Sequence, residues 1–509
     1  MKFRYKYLLI PALALSLGSC SDYLDKNPTD KLSPSSFWKT KGDVESALTA
    51  VYATLQASQY SYGAPNFDNI TDNGYGQHNY DNSSNIAQGN ISSTTGGYIS
   101  TIYSTSYRGI ARVNIFLKNL SEYSMADISD VDRKNYEAEA KFIRAFYNFQ
   151  LYMFYGSVPL VTEPLDLETQ FQEKTDSKNI YAQIIKDLDE SIATLDDVSY
   201  LSKPGHAVRS SAQALKLRVL MNDSFTSKTA ADLAKMKEAE QVANAIISKG
   251  LYSLDANYEG PFKDATQKSS NEILFSINFL APNNSTEMDM WYGDWVVVSP
   301  LKNLVDAYDY TDGLAYGVSP LTDANDPFKN RDPRLGKTIF KGTVVWPDGK
   351  THRPSNGAPT GFGLKKFLTP DLVPYGYATR SQQDWVMLRY GDVLLHAAEI
   401  ENELNGASSK AYSYINLVRK RAGMPNLPTG LSKEQFRERL RKERRIELAF
   451  EGLRYYDLKR WKIAEDVLNN VNDGIIPYSF ESKFYKWPLP QTEIDKSQGK
   501  LVQNPDYGK

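Results

Sequence analysis

The sequence predicts a mainly α-helical protein, built as a scaffold of repeated helix pairs that carries long irregular loop insertions and a few short strands. Over most of the chain, apolar residues recur at steps of three and four, which is the period of an amphipathic helix. Two long segments, about 60–97 and 251–380, lack that period and are rich in Gly, Asn, Asp, Pro and Ser. We therefore expect helices to form the core and the two insertions to form surface loops.

The first nineteen residues have the features of a signal peptide. A basic start (Lys2, Arg4 and Lys6) is followed by an apolar stretch, 7–18, that is too short to span a bilayer. The segment ends in Leu17-Gly18-Ser19-Cys20, which resembles the bacterial lipobox, where the cysteine becomes the acylated first residue of the mature chain. A cleaved secretory peptide with an incidental cysteine is the alternative.

Acylation of Cys20 predicts a stable membrane attachment, because several acyl chains exceed the two anchoring signals that such attachment needs. Cys20 is the only cysteine of the chain, and this use accounts for it. Residues 20–42 contain Pro28 and Pro34 and predict an extended tether. We expect the rest, 43–509, to fold as a single domain.

The first helix is predicted from Asp43, which suits a helix cap, through the amphipathic run that ends near Leu55. The next strong pattern ends at Gly156 and Pro159, and its apolar face carries Phe142, Phe146, Phe149 and Met153. Further helical patterns cover 101–120, 177–195, 208–221, 232–249, 385–404, 410–423 and 433–461. Successive helices of this kind are similar to TPR arrays, although no clean 34-residue repeat is present.

Aromatic residues are abundant, with 34 Tyr, 21 Phe and 7 Trp, more than a helical core of Leu and Ala requires. Both insertions combine such rings with polar side chains, which is what a sugar needs: a ring to stack on its C–H face and partners for its hydroxyls. The candidate ligand-binding residues are Asp72, Asn73, Tyr75, Tyr80 and Tyr98, accompanied by His78, in the first insertion, and Trp291, Tyr292 and Trp295, accompanied by Asp294, in the second. The alternative is that these rings pin the loops to the scaffold.

Composition and motifs argue against several other functions. With 59 Lys and Arg against 61 Asp and Glu and no long basic run, nucleic acid is not an expected partner. The chain has four histidines and no HExxH, paired-cysteine or GxSxG motif, so we expect no catalytic residue, no metal and no cofactor. A pair of glycosidase carboxylates stays possible among so many acidic residues. The charged run 437–447 is typical of a solvated or salt-bridged helix face.

A series of motifs resembles the SusD/RagB family along nearly the whole mature chain. They are DYLD after Cys20, FYNFQLYMFYGSVPLV at 146–161, AEQVANAIISKGLYSL at 239–254, NEILFSI at 271–277, RDPRL at 331–335, LRYGDVLLHAAE at 388–399, INLVRKRAGMP at 415–425, ERRIELAFEGLRYYDLKRW at 443–461 and QNPDY at 503–507. Their order, after a lipobox, makes the resemblance specific. One departure is Tyr103, where many relatives have Trp.

The resemblance implies a TPR-containing helical fold and attachment to the outer face of the outer membrane, where Asp22 and Asp25 match an export signal of surface lipoproteins. It also implies a non-enzymatic protein that captures a glycan, an oligo- or polysaccharide, and delivers it to a SusC-like TonB-dependent transporter. Two alternatives remain at this point: a peptide-capturing RagB-like member, and a surface glycoside hydrolase.

Overall fold

The computed structural model of the protein describes residues 37–508 except 124, 126 and 324. The predicted signal peptide, Cys20 and the tether up to residue 36 lie outside the described residues. The helices are α1 Lys41–Tyr52, α2 Ser83–Ala87, α3 Tyr98–Glu122, α4 Asp130–Tyr155, α5 Ser177–Thr194, α6 Arg209–Asn222, α7 Leu233–Ile247, α8 Asp264–Gln267, α9 Lys302–Ala307, α10 Arg334–Thr338, α11 Tyr390–Asn405, α12 Ser409–Arg421, α13 Lys433–Glu447, α14 Arg454–Arg460, α15 Ala464–Leu468 and α16 Gln491–Lys496.

Helices α3 to α7 form an array in which each packs against the one before it. Helix α11 packs against α7, although the whole second insertion separates the two in sequence, and α12 and α13 then pack against α11. The face of α4 that carries Phe142, Phe146, Phe149 and Met153 is buried, as its spacing predicts. The prediction of a mainly helical, TPR-like scaffold is confirmed.

The start of α1 differs from the prediction. Thr40, not Asp43, is the N-cap residue, and the helix begins at Lys41. Asp43 occupies the third helical position, where its carboxylate accepts a hydrogen bond from the backbone N–H of Thr40 at 2.8 Å while the Thr40 hydroxyl accepts one from Asp43 N at 3.2 Å. This reciprocal arrangement is a capping box, which satisfies two backbone donors rather than one.

The strands are short: β1 Gly74–Tyr75, β2 Ile273–Ile277, β3 Ser299–Pro300, β4 Ile339–Lys341, β5 Val344–Val345, β6 Thr351–His352, β7 Phe362–Leu364 and β8 Trp385–Arg389. Antiparallel pairing of the buried strands β2 and β8 brings together the two ends of the second insertion. Antiparallel pairing of β1 with β3 joins the first insertion to the second. The two insertions are therefore joined to each other by backbone hydrogen bonds.

The charged run 437–447 lies in α13 and is largely buried rather than solvated. Glu447 accepts hydrogen bonds from Arg334 and Arg389 at 2.9 and 2.8 Å, and it is also paired with Arg421. Arg389 is fully buried and bonds Glu272 and Glu451 as well, each at 2.7 Å. The network joins the RDPRL, LRYGD and ERRIELAFEG segments, which contribute Arg334, Arg389 and Glu447 to its ion pairs.

Among the helices of the described ranges, none has the length and apolarity that a membrane crossing requires.

Candidate functional site

The site is built where the two insertions meet. Beside the β1–β3 pair, the backbone N–H of Leu301 donates to the carbonyl of Asn73 at 2.9 Å. The carbonyl of Trp295 accepts a hydrogen bond from Gln77 and lies 3.0 Å from His78 Nε2. These bonds between segments more than 200 residues apart place the aromatic residues of both insertions on a common surface.

Six rings form this surface, which we call the aromatic surface: Tyr62, His78, Tyr80, Trp291, Trp295 and Tyr377. Trp291 lies between Tyr62, at a centroid distance of 5.2 Å, and Tyr80, on which it stacks at 6.2 Å. His78 contacts both Tyr80 and Trp295, at 5.5 and 6.2 Å. Trp295 meets Tyr377, which is 76% exposed, at 5.2 Å. The rings thus follow one another in a continuous path.

The backbone around the two tryptophans is irregular. Residues Met290–Asp294 form a π-helix, closed by a hydrogen bond from Trp295 N to the carbonyl of Met290 at 2.9 Å. Val296 follows with φ of +48°, a conformation that is costly for a β-branched residue. Such turns concentrate at functional sites. Here the turn leaves Trp291 and Trp295 partly exposed while Tyr292 and Val296 are buried.

Asp294 holds a neighbouring loop against the tryptophans. Its carboxylate accepts hydrogen bonds from Ser355 N and Oγ, both at 2.9 Å, and lies 3.1 Å from His352 Nε2. The next residue, the exposed Asn356, places its amide 3.2 Å from His78 Nε2 at the edge of the aromatic surface. Asp294 is therefore engaged in positioning the loop, which presents Asn356 beside the rings.

Asp289 likewise holds in place the segment that carries Tyr377. Its carboxylate accepts hydrogen bonds from Thr369 N at 2.5 Å and Ser381 Oγ at 2.7 Å. Burial raises the pKa of Asp289 to about 6, although these donors and Lys263 favour the charged form. The segment between Thr369 and Ser381 is thereby anchored at both ends to the start of the π-helix.

The predicted site residues divide into three groups. Tyr80 is 39% exposed, and Trp291 and Trp295 are partly exposed on the aromatic surface. Tyr75 is partly buried and packs instead near Leu301 and the C-terminal segment. The four others, Asp72, Asn73, Tyr98 and Tyr292, are buried.

Each buried residue supports the framework under the site. Asp72 binds Arg454 at 2.8 and 2.9 Å; burial raises its pKa, but Arg445 and Arg454 outweigh this effect and lower the pKa to about 2. Asn73 accepts a hydrogen bond from Arg445 Nε at 2.7 Å. Tyr292 donates its hydroxyl to the carbonyl of Tyr62 at 2.7 Å, which fixes one end of the aromatic surface. Tyr98 packs on Phe67 at 4.3 Å.

Sequence reasoning did not single out Tyr62 and Tyr377. Both lie in the predicted insertions, within the Gly-containing segments SYGAP and PYGYAT, so composition placed them in the regions expected to bind ligand without distinguishing them from other rings. Their membership in the site depends on contacts with Trp291 and Trp295, which no local pattern reveals. In the described ranges, no cluster of three or more His, Cys, Asp or Glu side chains is arranged to hold a metal ion.

Two family models match the chain: one described as the SusD family over residues 262–507, and one described as starch-binding and associating with the outer membrane over 22–221. The SusD-like protein P25 of Formosa agariphila is 28% identical, with 95% of each chain covered. The SusD-like protein P2 of the same organism is 27% identical over 99% of this chain and 100% of its own.

Solved structures give the same result. A SusD-like carbohydrate-binding protein of Bacteroides fragilis matches with a TM-score of 0.79 and 25% identity, over 91% of this chain and 99% of its own. Surface glycan-binding protein A of Bacteroides thetaiotaomicron, solved in complex with laminarihexaose, matches with a TM-score of 0.70 and 22% identity, over 92% and 100%. With motifs, family models and fold in agreement, the chain belongs to the SusD/RagB family.

Proposed function

We propose that this protein captures a glycan at the aromatic surface, binds it without cleaving it, and delivers it to a SusC-like TonB-dependent transporter in the outer membrane. The observation that carries the proposal is the continuous path of partly exposed rings, Tyr62, Trp291, Tyr80, His78, Trp295 and Tyr377, assembled from both insertions. A relative of the same fold, from Bacteroides thetaiotaomicron, was solved with laminarihexaose bound, which supports an oligosaccharide as the ligand class.

The chemistry of the surface suits a sugar chain. Indole and phenol faces pack on the C–H faces of pyranose rings, and Asn356 and His78 at the edge offer polar partners for hydroxyls. The entropic cost of ordering these side chains on binding is low, because the turn at 290–296 and the loops held by Asp289 and Asp294 already fix the rings in the free protein. Asp294, the residue before Trp295, accepts hydrogen bonds from Ser355 N and Oγ, so this carboxylate serves to hold the neighbouring loop in place.

The membrane attachment is part of the proposal. We assign it to acylation of Cys20, supported by the lipobox-like sequence and by the family model whose description names association with the outer membrane. We propose that the residues between Cys20 and Phe37 act as a tether from the membrane; the tether ends there because Phe37 and Trp38 already pack against the core of the helical domain.

Replacement of Trp291 or Trp295 by Ala tests the site. Each change removes a stacking face, so we expect oligosaccharide affinity to fall about tenfold or more, with the melting temperature changed little because both indoles are partly exposed. Isothermal titration calorimetry measures the affinity and differential scanning fluorimetry the melting temperature.

The matched control is Tyr316→Ala, which removes a 39% exposed ring from the same insertion at a position outside the aromatic surface. The affinity of this variant for the oligosaccharide should equal that of the parent protein. Unchanged binding in both tryptophan variants would show that the ligand binds elsewhere.

A further inference from the structure

A second concave region lies beside the first helix, at the end of β2. This α1 cleft has a volume of about 280 Å³ and is lined by Tyr52, Gln56, His206, Phe275, Asn278 and Asn284 among others. Its size is near the lower end of small-molecule sites, enough for a single sugar ring but too small for a folded peptide.

Aromatic side chains form one wall of the cleft. The rings of Tyr52 and Phe275 lie 6.3 Å apart at 33°, and the His206 imidazole meets the Tyr52 ring edge-on at 5.5 Å. Most of the lining is apolar carbon, so an occupant must present an apolar face as well as polar groups.

A buried carboxylate fixes the histidine. Glu139 accepts a hydrogen bond from the Tyr52 hydroxyl at 2.5 Å and lies 2.8 Å from His206 Nδ1. The second ring nitrogen, Nε2, has no partner among the residues that the structure describes, and the side chain is 46% exposed. His206 therefore presents one oriented nitrogen to an occupant of the cleft.

Asparagine amides supply further polar groups. The Oδ1 of Asn278 accepts hydrogen bonds from Ser276 Oγ at 3.1 Å and Tyr200 Oη at 3.3 Å, which fixes the amide. Its Nδ2 lies at the cleft, where a methyl group on Gly205 would come within 3.3 Å of it. Asn284 is anchored through its backbone, paired with Leu280, and its exposed side chain lines the opposite edge.

The cleft continues the aromatic surface. Asn278 is followed directly by Phe279, whose ring meets that of Tyr62 at 5.9 Å, and Tyr62 meets Trp291 at 5.2 Å. In addition, Gln56, another residue of the cleft, donates a hydrogen bond to the carbonyl of Asn278 at 2.8 Å, which fixes the backbone directly before Phe279. A chain laid along the rings from Tyr80 toward Tyr62 leads toward the cleft.

We propose that the α1 cleft is a terminal subsite for the same ligand: a linear oligosaccharide runs from Trp291 past Tyr62, and one ring at its end enters the cleft. There the partly exposed Tyr52 ring, which packs on the buried Phe275, contacts the C–H face, and His206 Nε2 and Asn278 Nδ2 bind hydroxyls. The inference rests on the proposed function and adds to it that the protein selects chains long enough to reach both places.

The histidine resonances allow ligand binding at the aromatic surface and in the α1 cleft to be observed in one titration. The chain has four: His78 in the aromatic surface, His206 in the cleft, the buried His396 as the internal reference, and His352, which contacts Asp294 beside the tryptophans and is not used as a reference. With ¹³C-labelled histidine, NMR spectra are recorded while laminaribiose, laminarihexaose and the corresponding cello-, malto- and xylo-oligosaccharide pairs are added to the purified protein.

We expect a disaccharide to shift the His78 resonance alone, and the matching hexasaccharide to shift His78 and His206 with a single dissociation constant. Thr49→Trp, at an exposed position of α1 that lines the cleft, should abolish the His206 shift and weaken hexasaccharide binding about tenfold. Binding of the disaccharide should not change. Ala50→Trp, at the neighbouring exposed position outside the cleft lining, is the control and should behave as the parent protein.

A hexasaccharide that shifts His78 but never His206, with an affinity indifferent to Thr49→Trp, would overturn the terminal subsite and leave the proposed function standing. If neither histidine responds to any oligosaccharide of the panel, glycan capture and the terminal subsite both fail.

Discussion

At the scale of single residues, burial decides which aromatic side chains are free to bind. Tyr292 and Trp291 are neighbours in the π-helix, yet the Tyr292 ring is buried under the site while the Trp291 indole lies in it. Of the ligand-binding residues predicted from the composition of the two insertions, Tyr80, Trp291 and Trp295 are at least partly exposed, and their role in binding stays a prediction. Composition could not distinguish these exposed rings from the buried Tyr98. The exposure of a ring depends on tertiary contacts, such as the packing of Tyr98 on Phe67, that a local sequence pattern does not show.

The pair of His206 with Glu139 predicts a pH-dependent contribution to stability. The hydrogen bond to Glu139 raises the pKa of His206 above its ordinary value of 6.5; burial and Lys203 oppose the shift, and the charges of Glu139 and Glu45 add to it. A raised histidine pKa means that the folded state binds the proton more tightly than the unfolded state. The contribution is therefore complete below pH 6.5 and is lost as pH rises through the raised pKa.

Urea denaturation of the parent protein and of His206→Gln at several pH values measures this contribution. The parent should be more stable than the variant at pH 5.5 and lose that advantage toward pH 8; because His206 is about half exposed, the difference should be only about 0.5 kcal/mol. An advantage that grows with pH would contradict the assignment.

At the scale of elements, periodicity located the helices well. Helices α5, α6 and α7 lie within two residues of the predicted 177–195, 208–221 and 232–249, because amphipathic spacing and caps such as Asp232 are local signals. The β1–β3 pair that joins the two insertions was not predictable. Its strands have two residues each, too few to show a pattern, and they pair across more than 200 residues of sequence.

The buried ion network between β8, α12 and α13 should be essential to stability. Replacing Arg389 by Met leaves Glu272, Glu447 and Glu451 each without one buried partner, so we expect a loss of at least about 3 kcal/mol in the free energy of unfolding. Denaturant unfolding followed by circular dichroism measures it. Lys118→Met, which breaks only the exposed pair with Glu122, is the control and should change stability by about 0.5 kcal/mol or less. Equal effects of the two changes would refute the structural role of the network.

At the scale of the whole molecule, a helical array carries an aromatic surface made from two insertions, and a lipobox-like segment precedes it. The array and its buried ion pairs form the rigid scaffold, and the loops of the two insertions form the aromatic surface. The family could be recognised from sequence because its motifs supply the buried array and network. The proposed ligand surface could not be recognised, because it is assembled from residues that form no sequence motif.

Membrane attachment through Cys20 is tested by Cys20→Ser in the full chain. The proposed acylation of Cys20 predicts that this variant has no lipid anchor, and we expect nearly all of it to leave the membrane fraction. Fractionation followed by immunoblotting measures the distribution, with Ser21→Ala as the neighbouring control. A variant that stays with the outer membrane to the extent of the parent protein would show that another element anchors it.

The measurement that tests the central claim most directly is calorimetric titration of the protein with a panel of oligosaccharides and peptides, followed by product analysis of each mixture. Glycan capture predicts saturable binding of at least one oligosaccharide, with the sugar recovered intact and no binding of peptides. Binding of peptides alone would make this a peptide-capturing member of the family, and a shortened oligosaccharide would contradict the account by showing that the protein is an enzyme.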